Sequence, residues 1–157
     1  MIAKKMVMSK NIKLLNKRLL SVQLKKALLY AFLEAKKNKT TIIDSQLLLY
    51  GILKVNSSLA NKLIRQIYKS KSPSFNSMDS IDNLLVKLKL NIHIKNKIIS
   101  TQSVYPNFSK PVKQLLFFLL RSGGDPQTKV ITSLHVLKYL LCQKNICILV
   151  KDGLRIF

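Results

Sequence analysis

Three observations predict an all-α fold. The 157 residues include only four glycines, four prolines and no tryptophan, while Leu, Ile and Lys abound, a composition that favours helices over a turn-rich sandwich or barrel. Apolar side chains recur at three-and-four spacing in one stretch after another. The stretch Ile43-Asp44-Ser45-Gln46-Leu47-Leu48-Leu49-Tyr50-Gly51-Ile52-Leu53 is echoed 88 residues later by Ile131-Thr132-Ser133-Leu134-His135-Val136-Leu137-Lys138-Tyr139-Leu140-Leu141, so the helices fall into two similar sets. A chain of this length buries roughly 70% of its unfolded surface, enough for one core.

Residues 1–20 form a basic lead-in without acid, lacking the apolar centre of a secretory signal, and are expected to stay attached. From Ser21, Leu24, Ala27, Leu28, Ala31 and Ala35 mark one face of a first helix. Ser21 is its expected N-cap, and Lys36-Lys37-Asn38-Lys39 places positive charge at the negative end of its dipole. An extended connector, Thr40 to Ile43, leads to a second helix capped by Ser45, with Leu48, Ile52 and Leu53 facing inward and Leu49 on the flank. After Asn56-Ser57-Ser58 a third helix is expected to bury Leu59, Leu63, Ile64 and Ile67.

Lys69 to Ser77, rich in Ser and holding Pro73, reads as a loop. A fourth helix then starts at Asp79 or Ser80 and carries Ile81, Leu84, Leu85 and Leu88. Residues 90–107 mix alternating and helical patterns and fit either a strand-like connector or a short helix. Ser109-Lys110-Pro111 opens the next helix, with proline in the first turn where its missing donor matters little. Val112, Leu115, Leu116, Leu119 and Leu120 line its inner face, and Gly123-Gly124-Asp125-Pro126 stops it.

The offset of 88 needs no gap. It superposes Ser21 on Ser109, Lys25 on Lys113, Leu28 on Leu116, Ile43 on Ile131, Ser45 on Ser133, Leu49 on Leu137 and Leu53 on Leu141. Caps meet caps and core meets core. The expected organisation is a double-repeat domain over 21–157: repeat one at 21–89, a joint at 90–108 and repeat two at 109–157, pseudo-symmetric, with about four helices each and the last helix truncated.

The formal charge of +22 invites a polyanion partner. Lysine outnumbers arginine 24 to 4, however, and Glu34 is the single glutamate, a profile of coding sequence drifting toward A and T, as in organelle or endosymbiont genomes, and a plastid is the expected compartment. Aromatic residues make up 7% of the chain, and no basic run is interleaved with stacking rings. Six carboxylates, His93 and His135 assemble no acid–base, nucleophilic or metal-binding motif, and neither a catalytic residue nor a cofactor is expected. Cys142 and Cys147, four residues apart, are expected to pack as small apolar groups in a reducing compartment. No apolar run approaches the ~20 residues of a membrane span; Leu115 to Leu120 is a run of six.

The repeated unit resembles the Clp repeat, present in two copies in the amino-terminal domain of ClpA-, ClpB- and ClpC-type chaperone ATPases. Glu34-Ala35 stands on the family's E-A, Ile43 on its aliphatic position, Ser45 on its Thr, Leu48-Leu49-Tyr50 on its three apolar positions and Gly51-Ile52-Leu53 on its G-L-L. In the second copy Ile131, Ser133, His135, Val136, Leu137, Leu140 and Leu141 take the same places, with Tyr139 instead of the glycine. The resemblance covers roughly residues 20 to 150. It implies a module that binds substrates and adaptors, and no G-x-x-x-x-G-K-[ST] is present to cradle ATP.

The positions that would carry partner contacts are Ser45, Gln46, Gly51, Ser133, Leu134 and His135. In ClpC-type domains the residue after the Thr is a Glu that helps recognise phosphoarginine; here it is Gln46 or Leu134, neither of which pairs with a guanidinium as a carboxylate does. The reading that follows is a non-catalytic accessory or adaptor subunit of a Clp chaperone-protease in the plastid stroma. Its partners would be the ATPase ring, the protease core or substrates. The alternative is a basic RNA- or ribosome-associated helical protein.

Overall fold

The computed structural model describes residues 19–71, 77–96, 105–122 and 130–154. These residues form an all-α fold of seven helices joined by four two-residue strands. Helix α1, Val22–Lys37, starts where expected, the Ser21 hydroxyl accepting the Leu24 N–H at 3.1 Å. Its inner face is Leu24, Ala27, Ala31 and Ala35. The helix closes through Lys39 at φ 53°, with Thr40 N–H bonded to Ala35 O at 3.0 Å and Lys39 N–H to Lys36 O at 3.1 Å. That pair of bonds is a Schellman closure with lysine where glycine is usual, at a backbone cost of about 1 kcal/mol.

Helix α2, Ser45–Lys54, lies at the centre, and every residue from Leu47 to Leu53 is buried. It contacts α1, α3 at Leu59–Lys71, α4 at Ser77–Asn96 and α6 at Ser133–Leu141. A helix surrounded on all sides has no solvent face, so the expected division between an inner face and a Leu49 flank does not hold. Helix α3 is turned from the expected face: Ala60, Asn61, Ile64 and Tyr68 are buried, Leu63 is half-buried, and Leu59 and Ile67 are exposed.

The helices around the expected loop and joint are longer than their patterns suggested. Helix α3 continues to Lys71, and α4 begins at Ser77, so Asp79 and Ser80 lie inside it rather than capping it. Helix α4 buries Ile81, Leu84, Leu88 and Ile92 and continues across the expected boundary at residue 90 as far as Asn96. Helix α5, Lys110–Ser122, buries Val112, Leu115 and Leu119, with Leu116 and Leu120 half-buried. The Ser109 hydroxyl accepts the Val112 N–H at 3.4 Å. The expected stop at Gly123 to Pro126 lies outside the described residues. Helix α7, Lys144–Gly153, closes the described chain and packs on α4 and α6.

The strands obey the 88-residue offset. Strand β1, Leu19–Leu20, belongs to the stretch read as a lead-in and pairs in parallel with β4, Val130–Ile131. Strand β2, Ile42–Ile43, pairs in parallel with β3, Asn107–Phe108. Adding 88 carries β1 onto β3 and β2 onto β4, so Leu19 opposite Val130 becomes Asn107 opposite Ile42. The flanking bonds exchange likewise: Ser21 N–H to Ile131 O and Ser109 N–H to Ile43 O, both 2.9 Å.

Candidate functional site

The six motif positions fall on α2 and α6, two helices in contact with each other. Their first turns are capped one residue earlier than expected. Asp44, in extended backbone, is the N-cap of α2, and its Oδ1 accepts the N–H groups of Gln46 and Leu47, each at 3.0 Å. A carboxylate at this end also meets the positive pole of the helix. Ser45 is therefore the first helical residue rather than the cap, and Gln46 is half-buried in the same turn.

In the second copy Thr132 is the N-cap, and its N–H donates to His135 Nδ1 at 3.1 Å in a capping box. With Nδ1 accepting that bond, the neutral ring carries its proton on Nε2, and His135 serves the helix end. Ser133 is buried, and among the described residues its hydroxyl has no hydrogen-bond partner. Leu134 is half-buried beside it.

Gly51 is a packing position. A Cβ built there would stand 2.2 Å from Ala27 O and 3.0 Å from Ala31 N, so α1 and α2 touch backbone to backbone. The counterpart of Gly51 is Tyr139, and those of Ala27 and Ala31 are Leu115 and Leu119. Three larger side chains at that crossing leave no room for the same approach of α5 to α6. Tyr139 instead reaches the surface, where its ring meets Phe118 with centroids 5.9 Å apart and planes at 43°.

No family model matches the chain, and no curated protein shows significant similarity to it.

Sequence reasoning missed the outer face of α5. Phe117 is 64% exposed, Phe118 53% and Tyr139 43%, and around them Lys110, Lys113, Gln114, Arg121 and Lys138 are also exposed. Neither α5 nor α6 contains an acidic residue. The signal was the six-residue apolar run from Leu115 to Leu120: at 100° per residue it wraps further than one buried face, so some of its side chains must point outward.

Glu34, the single glutamate, is paired with Tyr50, whose hydroxyl donates to the carboxylate. Asn38 Nδ2 donates to Glu34 Oε1 at 3.1 Å. Burial, then the Glu34 charge, then the Tyr50–Glu34 hydrogen bond push the Tyr50 phenol up to about 12. The phenol is thus harder to ionise folded than unfolded, and its contribution to stability is complete below about pH 10 and lost as pH rises through about 12. Allowing for solvent at the half-exposed Glu34 side, that loss is about 1–2 kcal/mol. Urea midpoints of wild type and Tyr50→Phe at about pH 9 and about pH 11.5 check it: wild type is expected to lose more than the variant. Equal losses would clear the pair of this role.

Among the described residues no group of three or more His, Cys, Asp or Glu side chains is placed to hold a metal ion. Cys142 is exposed, contrary to expectation, with its thiol on Lys138 O at 3.4 Å, while Cys147 is half-buried. Both are free thiols. No described helix is long and apolar enough to cross a membrane.

Proposed function

We propose that this chain is a non-catalytic, protein-binding module of the Clp-repeat type, an accessory or adaptor subunit that docks on a Clp ATPase ring or protease core in the plastid stroma. The observation that carries the reading is the exchange of strands between the two halves. Each half's two-residue strands pair with the other half's, in registers related by the same 88-residue offset that superposes the motif residues.

Further support comes from the buried α2, whose Leu48, Leu49, Ile52 and Leu53 fill the motif's apolar positions. The polar motif positions serve helix ends or packing, which favours a scaffold that presents surfaces over one that performs chemistry. The A/T-leaning composition favours a plastid gene.

The test is size-exclusion chromatography of the tagged full chain with purified plastid Clp ATPase and, separately, with the protease core. Co-elution with one of them at low micromolar concentration is expected. Elution of the chain alone in both mixtures would reject the accessory role.

A further inference from the structure

We propose that the outer face of α5, completed by Tyr139 of α6, docks an acidic amphipathic helix of a partner protein. This rests on the protein-binding reading and names the partner's chemistry. Phe117, Phe118 and Tyr139 bring three large rings to one surface of a chain with eleven Phe and Tyr residues in all. Exposed apolar clusters rimmed by polar groups mark interaction surfaces, and aromatic side chains beside arginine are their usual anchors. Arg121 lies one turn from Phe117 and Phe118 on the same helix, and it is one of only four arginines against 24 lysines.

The charge pattern selects the occupant. Lys110, Lys113, Arg121 and Lys138 surround the rings, and α5 and α6 carry no acid that could neutralise them. A second copy of the chain, itself carrying a net +22, would meet this basic face with like charge and is disfavoured. A partner helix with apolar residues at i, i+3, i+4 and i+7 and carboxylates on its flanks buries the rings while matching the rim. The positions of Phe117, Phe118 and Arg121, spaced i, i+1 and i+4, form the kind of ridge into which such a helix packs.

The rings argue against a nucleic acid here. Phe118 and Tyr139 already touch at 5.9 Å and 43°, so they do not form the parallel slot that holds a stacked base. Tyr139 belongs to this surface because glycine is absent from its position in the second copy. The first-copy counterparts of Phe117 and Phe118 are Leu29 and Tyr30, also exposed but with Gly51 at the position of Tyr139, and they provide an internal control.

The experiment is fluorescence anisotropy of the full chain with a labelled peptide of about 16 residues that has a leucine–phenylalanine stripe and glutamates elsewhere. A scrambled peptide of the same composition and a labelled oligouridylate serve as competing probes. For the striped peptide, Phe117→Ser with Phe118→Ser is expected to weaken binding about tenfold or more. Lys113→Gln with Arg121→Gln is expected to slow association several-fold and flatten its salt dependence. Leu29→Ser with Tyr30→Ser is expected to leave affinity within about twofold.

The proposal is overturned if the Phe117→Ser, Phe118→Ser variant binds the striped peptide as wild type does. It is also overturned if the scrambled peptide binds equally tightly, or if the oligouridylate is the probe that loses affinity in that variant. All substituted side chains are exposed, and an unchanged melting temperature confirms that each variant is folded. Co-elution with a Clp ring that survives Phe117→Ser and Phe118→Ser leaves the accessory role intact and overturns this docking face. Peptide binding that persists where wild type fails to co-elute rejects the accessory role and supports the face.

Discussion

Gly51→Ala is expected to destabilise the protein by about 3 kcal/mol, although alanine is the better helix former by about 1 kcal/mol. The added methyl would lie 2.2 Å from Ala27 O, 3.0 Å from Ala31 N and 3.1 Å from Ala31 Cβ. Two of these neighbours are backbone atoms, which cannot turn aside as a long side chain can. Ala27 and Ala31 are fully buried, so relief requires separating α1 from α2 and disturbing everything packed round α2. For a chain of this size the penalty corresponds to a melting temperature lower by about 6–12 °C. A thermal melt within a degree or two of wild type would mean that the helices do not approach so closely. Tyr139→Ala, at the exposed equivalent position, is expected to change stability by less than about 1 kcal/mol.

Asn61→Ala is expected to cost about 2–4 kcal/mol, more than a surface asparagine would. Asn61 is fully buried, and its Nδ2 donates to Leu53 O at 2.7 Å, satisfying a carbonyl at the end of α2. Its Oδ1 accepts the Arg65 Nε–H at 2.7 Å, and its own N–H reaches the Ser58 hydroxyl at 3.1 Å. Truncation leaves a buried carbonyl without this donor and a guanidinium without this acceptor. Asn61→Asp is informative because it keeps the acceptor for Arg65 but sets a carboxylate against the Leu53 carbonyl, and it is expected to be no better than alanine. Urea unfolding reads both as a lowered midpoint at unchanged slope, and a midpoint equal to wild type would show that water replaces the side chain freely.

The elements legible in the sequence were those with one wet face and one dry one. Helix α1 sets Leu24, Ala27, Ala31 and Ala35 at three-and-four spacing behind the Ser21 cap, and both the cap and the buried face follow that pattern. Helix α2 has no wet face, so the periodicity that identifies a helix could not say which side was inner. In α3 apolar counting favoured Leu59 and Ile67, whereas the chain buries Asn61, whose hydrogen bond to α2 leaves no trace in a hydropathy pattern. The caps were displaced by one residue because Asp44 and Thr132, the last extended residues, hold the Ncap backbone ahead of the serines. Of the candidate site, Phe117 and Phe118 were visible only as an overlong apolar run. Their meeting with Tyr139 depends on how α5 lies against α6, which no local pattern encodes.

The exchanged strands bear on dissection. A chain cut between the two sets of helices would yield halves whose two-residue ladders each lack their partner, and each half would find that partner only in its complement or in another copy of itself. The two ladders thus relate the halves as subunits of a two-fold dimer are related. In the first half glycine stands at the helix crossing, and in the second tyrosine stands there with its ring against Phe118 at the surface.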